Sequence, residues 1–236
     1  MSESYANFQE SLGYRFRSTA LLRNALTHPS YRAENPEVPS DNQRLEFLGD
    51  AVLQLALTEA LYGRYPEMAE GQLTRLRAAL ANEKALARFA RGLDLGSVLL
   101  LGKGERSGGG RRRPSNLADA LEAVFGAVYL ESGLSPVRAL TERLMKQVLY
   151  DPRSILTREN PKGQLQELTQ ESFGTTPDYT VVNTAGPEHA PQFTVRVTVS
   201  ERELTEATAG SRKKAEKAAA LRALRILSKE NRDTST

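Results

Sequence analysis

Four carboxylates in the first half of the chain are spaced for joint chemistry. Glu46 and Asp50 stand four residues apart in Leu45-Glu46-Phe47-Leu48-Gly49-Asp50-Ala51-Val52-Leu53, and Asp119 and Glu122 stand three apart in Leu117-Ala118-Asp119-Ala120-Leu121-Glu122-Ala123-Val124-Phe125. Either spacing puts both acids of a pair on one face of a helix. The flanking residues are apolar almost all the way round the Glu46 helix, which predicts that it is buried. An ionised carboxylate withdrawn from water without a partner costs several kcal/mol or more, so the four acids need cations. Two sources are open. Arginines such as Arg44, Arg75 or Arg77 could pair with them and leave nothing catalytic, or the four could converge on a hard, oxygen-preferring metal such as Mg²⁺ or Mn²⁺, with no histidine or thiolate required. The metal arrangement suits phosphodiester hydrolysis, in which one or two ions activate water and neutralise the charge that develops at phosphorus and on the leaving oxygen.

Other chemistries are poorly supplied. The chain has no cysteine, which excludes disulfides, zinc-thiolate sites and thiol nucleophiles and fits a reducing cytoplasm. Its two histidines, His28 and His189, fall in different halves, so a Ser-His-Asp triad is not expected, and His28 reads as a packed, hydrogen-bonded residue. The run Gly102-Lys103-Gly104-Glu105-Arg106-Ser107-Gly108 lacks Walker spacing and no strand precedes it; it reads as a flexible basic loop. The 32 Lys and Arg nearly balance 29 Asp and Glu, so distribution matters more than the formal net charge of +3. Basic residues gather in Arg106 to Arg113 and Arg212 to Arg225, as suits a polyanion such as nucleic acid. Met1 to Phe16 contains no uninterrupted apolar stretch, which argues against a signal peptide, and no later segment is long and apolar enough for a bilayer; no membrane association is expected.

The elements that must position the acids are helices. Ser40, followed three residues later by Gln43, resembles a capping box, and the helix it opens is expected to run to Tyr62 before Gly63. A second helix is expected from Gln72 to Arg91, a mobile loop over Gly102 to Asn116, and a third helix from Leu117 to Leu130 that ends near Gly133. Pro152 and Pro161 bracket a linker. Beyond it the pattern changes: an amphipathic helix over Lys162 to Phe173, a short strand over Tyr179 to Asn183, and a strand in which Phe193, Val195, Val197 and Val199 alternate with Thr194, Arg196, Thr198 and Ser200. Leu204 to Ala209 supplies a third strand, and Gly210-Ser211 opens a last helix with alanines and leucines inward and lysines and arginines outward. The expected architecture is an all-α domain at 5–148, a linker at 149–160 and a small α+β domain of order α-β-β-β-α at 161–230.

These residues resemble the ribonuclease III family. The segment from Asn42 to Leu53 is similar to its signature, and the likeness continues through Ala25 to Tyr31, Glu70 to Arg77 and Leu117 to Ala123; the C-terminal part, with Gly210-Ser211-Arg212-Lys213-Lys214-Ala215-Glu216, resembles a double-stranded-RNA-binding domain. The resemblance implies an all-α endonuclease domain followed by that module, acting on double-stranded RNA. It implies that Glu46, Asp119 and Glu122 are Mg²⁺ ligands, with Mn²⁺ able to substitute, and that Asp50 and Glu122 are the residues most critical for hydrolysis. It further implies a homodimer built partly on the signature helix, in-line attack by water, 5′-phosphate and 3′-hydroxyl ends with short 3′ overhangs, and ribosomal-RNA precursors and structured messages as substrates. Many members carry Glu where this chain has Gln43, a position implicated together with Glu70 in supporting the acidic cluster. Gln keeps the hydrogen bonding and removes a charge; Glu70 reads equally well as an acid favoured by a helix dipole.

A-form RNA is read through its shallow minor groove and its phosphates. In the α-β-β-β-α module, Gln166 and Gln170 are expected to reach minor-groove hydroxyls, the Gly186-Pro187-Glu188-His189 loop to enter the next minor groove, and Arg212 and Lys213 at the last helix start to meet phosphates. Such a module spans about 16 base pairs. Two rivals remain. A non-cleaving RNA-binding regulator would be expected to have lost one of the four acids. A helical Mg²⁺-diphosphate enzyme would be expected to carry a tight aspartate-rich motif and no appended module.

Overall fold

The computed structural model describes residues 3–148, 157, 160–187 and 189–233. The chain divides into two compact units, Met1–Tyr150 and Asp151–Thr236. The expected linker lies outside the described residues except for Thr157 and Asn160.

The first unit is helical: α1 (Glu3–Leu12), α2 (Thr19–Ala25), α3 (Pro29–Glu34), α4 (Gln43–Arg64), α5 (Glu70–Ala81), α6 (Glu83–Gly92), α7 (Leu95–Val98), α8 (Lys103–Ser107), a 3₁₀ turn at Gly110–Arg112, α9 (Pro114–Ser132) and α10 (Leu134–Val148). Among the described residues of this unit the only strand-like pairing is one bridge, Thr27 to Leu100. Helix α9 is its axis. Eleven of its residues from Asn116 to Val128 are buried, and α4 packs along it. No described helix is long and apolar enough to cross a membrane.

Four local expectations are corrected. Ser40 does not cap α4; its hydroxyl donates to Asn24 Oδ1 at 3.1 Å, and Asp41 Oδ1 instead accepts the Gln43 N–H. The single helix expected over Gln72 to Arg91 is two, because Asn82 serves both: its Nδ2 donates to the Ala79 carbonyl at the end of α5, while its Oδ1 accepts from Ala85 N at 2.9 Å and starts α6. The Gly102 to Asn116 segment is held in place. Glu34 accepts from Lys103 N at 2.8 Å, Glu105 accepts from Asn116 Nδ2 at 2.7 Å and pairs with Arg113, and Arg111 donates to the Gly96 and Ser97 carbonyls. Finally, α4 is not buried all round. Phe47 is 83% exposed, Leu55 51% and Tyr62 75%, an apolar stripe facing away from α9.

The second unit follows the expected α-β-β-β-α order: α11 (Pro161–Phe173), β1 (Asp178–Ala185), β2 (Gln192–Val199), β3 (Arg202–Ala209) and α12 (Arg212–Asp233). Pro161 occupies the first helical turn of α11, Asn160 Oδ1 accepts from Gly163 N, and Gly174 ends the helix in the left-handed region at φ 68°. The sheet is antiparallel in the order β1-β2-β3, with Val195 opposite Val181 and Ala207. Val195, Val197 and Val199 turn inward, and Val197 packs with Leu165 of α11 and Ala219, Ala220 and Ala223 of α12.

Candidate metal centre

Two helix-interior glycines set the position of the acids. A Cβ on Gly49 would lie 1.7 Å from the Glu122 carbonyl oxygen, and one on Gly126 would lie 2.3 Å from the Leu45 carbonyl oxygen. The backbones of α4 and α9 therefore touch where any side chain would force them apart. This crossing sets Glu46, about one turn before Gly49, and Asp50, directly after it, against Asp119 and Glu122 of α9. Neither glycine is singled out by the spacing of the acids. The signal available in the sequence is that a glycine inside a helix costs about 1 kcal/mol relative to alanine, which is tolerated where another backbone must come close.

Carboxylate oxygens of Glu46, Asp119 and Glu122, one from each, lie within 4.8 Å of one another, all half-buried. Asp50 is more exposed, and its Oδ1 accepts a long hydrogen bond from Gln54 Nε2 at 3.4 Å. Among the described residues none of these four acids forms an ion pair with lysine, arginine or histidine; Arg77, one of the cations that could have neutralised them, donates to Thr58 Oγ1 at 3.0 Å. The electrostatic consequence is large. Burial, reinforced by the charges of Asp50, Asp119 and Glu46, pushes the Glu122 carboxyl up to about 8. Burial and the charges of Asp119 and Asp50 also raise Glu46 above the usual carboxylate range. Asp119 is raised by burial and by Glu83, against the opposing pull of His28. Like charges held together in a partly desolvated site favour protonation unless a cation joins them. An all-oxygen donor set of this kind fits Mg²⁺ or Mn²⁺.

The remaining expected residues are placed as follows. Gln43 is exposed on the first turn of α4, one turn before Glu46. Glu70 starts α5, accepts from Thr74 Oγ1 at 2.8 Å, and lines a hollow with Thr58, Leu61 and Tyr62 at the far end of α4; it is not brought to the three-acid group. His28 caps α3, with Nδ1 accepting from Ser30 N at 3.1 Å and 2.8 Å from Ser30 Oγ, as its reading as a hydrogen-bonded residue anticipates. In the second unit Gln166 and Gln170 share an exposed face of α11, and Arg212 and Lys213 are exposed at the start of α12. His189 is exposed in the β1–β2 turn; its neighbour Glu188 lies outside the described residues.

Residues 18–148 match the family model described as Ribonuclease-III-like, and residues 161–227 match the double-stranded RNA binding motif. The fold and its site thus define a nuclease unit joined to a duplex-RNA-binding unit. Ribonuclease 3 of Wolinella succinogenes is 42% identical over 233 residues, covering 98% of this chain and 95% of that protein. Two solved structures of the nuclease domain of ribonuclease III from Campylobacter jejuni are also similar. One has a TM-score of 0.58 and 41% identity, covering 64% of this chain and 99% of the other. The second, described for structural flexibility in a region involved in dimer formation, has a TM-score of 0.56 and 43% identity, covering 61% and 96%. The chain belongs to the ribonuclease III family of double-stranded-RNA endoribonucleases.

Proposed function

We propose that this chain works as a homodimeric, divalent-metal-dependent endoribonuclease that hydrolyses phosphodiester bonds in double-stranded RNA and leaves 5′-phosphate and 3′-hydroxyl ends with short 3′ overhangs. The observation that carries the reading is the group of three half-buried carboxylates, Glu46, Asp119 and Glu122, gathered within 4.8 Å with no protein cation among the described residues to neutralise them. In this reading those three hold Mg²⁺, or Mn²⁺ in its place, and Asp50 completes the acidic cluster. Bound there, the ion supplies water activation and neutralises charge developing on the phosphate. Asp50 and Glu122 are the residues on which hydrolysis depends most. The backbone contact at Gly49 and Gly126 keeps the two acidic helix faces in register, so the protein contributes mainly orientation.

The exposed Phe47, Leu55 and Tyr62 stripe supports a dimer, because an apolar helix face of this kind is ordinarily covered by a partner. Gln166, Gln170 and His189 would meet the minor groove, and Arg212 and Lys213 the phosphates. Cytoplasmic processing of ribosomal-RNA precursors and structured messages is the role this chemistry suits.

Incubation of the purified protein with a labelled RNA hairpin, the equivalent DNA duplex and single-stranded RNA, each with Mg²⁺ or EDTA, tests the reading. Mg²⁺-dependent cutting of the hairpin alone, with 5′-phosphate ends, is the expected result. Tight hairpin binding without cutting under any metal would make the chain a duplex-RNA-binding regulator and turn attention to Gln43.

A further inference from the structure

One acid in the second unit sits where cations would be expected to dominate. Helix α12 opens with Arg212, Lys213 and Lys214, and Lys217 follows, yet Glu216 lies among them with its side chain only 12% exposed. Its two oxygens are occupied from different elements. Oε2 accepts from Lys162 Nζ, on the first turn of α11, at 2.7 Å, and Oε1 accepts from Arg212 Nε, one turn earlier on α12, at 2.9 Å. The Lys162 ammonium also stands 4.3 Å from the centre of the Tyr179 ring on β1, so three elements meet at one carboxylate. The hydrogen bond from Lys162, with that from Arg212, holds the Glu216 carboxyl below the usual carboxylate range and keeps the tie charged at neutral pH.

We propose that Glu216 is a positioning residue for duplex RNA: by holding Lys162 and Arg212 on its two oxygens, it presets the spacing between the α11 face that carries Gln166 and Gln170 and the α12 start that offers Arg212 and Lys213. This role rests on the duplex-RNA binding proposed above. Arg212 is 65% exposed and is gripped through Nε, which leaves the far edge of its planar guanidinium turned to solvent. A guanidinium already fixed along one edge loses less rotamer freedom when a phosphate takes the other. Lys162, by contrast, is engaged by both Glu216 and Tyr179, whereas Lys213 and Lys214 are exposed at the start of α12.

Steady-state cleavage of an RNA hairpin by the full chain, compared with Glu216→Gln, Arg212→Lys and the double variant, tests the role. Each single variant is expected to raise KM about three- to tenfold with kcat within about twofold, because substrate binding is weakened and the chemical step is not. The salt dependence of binding should keep its slope in Glu216→Gln, since no phosphate contact is removed. The double variant should lose less than the product of the two single losses, because both substitutions break the shared Arg212–Glu216 tie. A wild-type or lowered KM in Glu216→Gln, as expected of a carboxylate that only repels phosphate, would overturn the role, as would additive losses in the double variant. Arg212 is exposed, so Arg212→Lys decides the matter if Glu216→Gln fails to fold: an unchanged KM there overturns it. Failure of the unsubstituted chain to bind or cut duplex RNA would overturn the function and the positioning role together, and the wild-type control separates that result from the others.

Discussion

The acids of the two units are treated in opposite ways. In the nuclease unit Glu46, Asp119 and Glu122 crowd together half-buried, and among the described residues no lysine, arginine or histidine forms an ion pair with them, whereas in the RNA-binding unit Glu216 has Lys162 on one oxygen and Arg212 on the other. Desolvation acts on both groups, but among the described residues it is the second in which lysine and arginine pair directly with the carboxylate. The first arrangement is poor as structure and useful as a receptor, since its electrostatic cost is relieved by a ligand that brings positive charge. The second is satisfied within the fold and serves to hold elements in register. The charge that is missing, more than the number of acids, marks where a cation is to be bound.

The largest effect expected from breaking this contrast is on cleavage. Glu122→Ala should lower the single-turnover rate by about three orders of magnitude, since it removes a ligand whose ion stabilises the developing charge by several kcal/mol. Duplex affinity in a gel-shift assay should change little. Loss of binding and cleavage together would contradict the division of labour between the two units. Next is the crossing itself. Gly49→Ala puts a methyl group 1.7 Å from the Glu122 carbonyl oxygen, and it is expected to destabilise the nuclease unit by about 3 kcal/mol in urea unfolding and to impair cleavage with it.

Response to pH sharpens the comparison, because the two units should move in opposite directions. Glu122 is raised to about 8 when no metal is bound, so the folded nuclease unit binds more protons than the unfolded chain. Its contribution is fully present below the ordinary carboxyl range and is lost as pH rises through about 8. Glu216 is lowered, so its contribution is present above the ordinary range and is lost as pH falls through its depressed value. Hydrogen exchange followed residue by residue in EDTA should show the helices α4 and α9 losing protection between pH 6 and 8 while the α11 and α12 contact is unchanged. Added Mg²⁺ should flatten the first response. The smallest effect is expected at the exposed surface pair of Arg138 with Glu59, where Arg138→Ala should leave the melting temperature unchanged within error.

Much of this organisation is legible in the sequence because helix and strand periodicities are local. Glu46 with Asp50 and Asp119 with Glu122 declare their shared faces through spacing alone, and the alternation from Phe193 to Val199 declares a strand with one buried face. What is not legible depends on partners distant in sequence. Asn82 breaks a continuous helical pattern because its side chain serves both helices at once, and the glycine-rich segment after Gly102 is ordered by Glu34, Glu105 and Asn116, none of which belongs to a local turn pattern. The α4 stripe of Phe47, Leu55 and Tyr62 reads as core by composition and proves to face outward, since composition does not say which apolar face meets the same chain. Glu70 falls with Thr74 and the distal half of α4, a placement that no spacing within its own helix reveals.

Mn²⁺ binding followed by electron paramagnetic resonance, in the unsubstituted chain and in Glu122→Gln without RNA, tests the central claim most directly. Saturable binding in the first and its loss in the second is the expected result, with duplex affinity retained in both. Equal Mn²⁺ binding by the two proteins would contradict the assignment of Glu46, Asp119 and Glu122 as the metal centre.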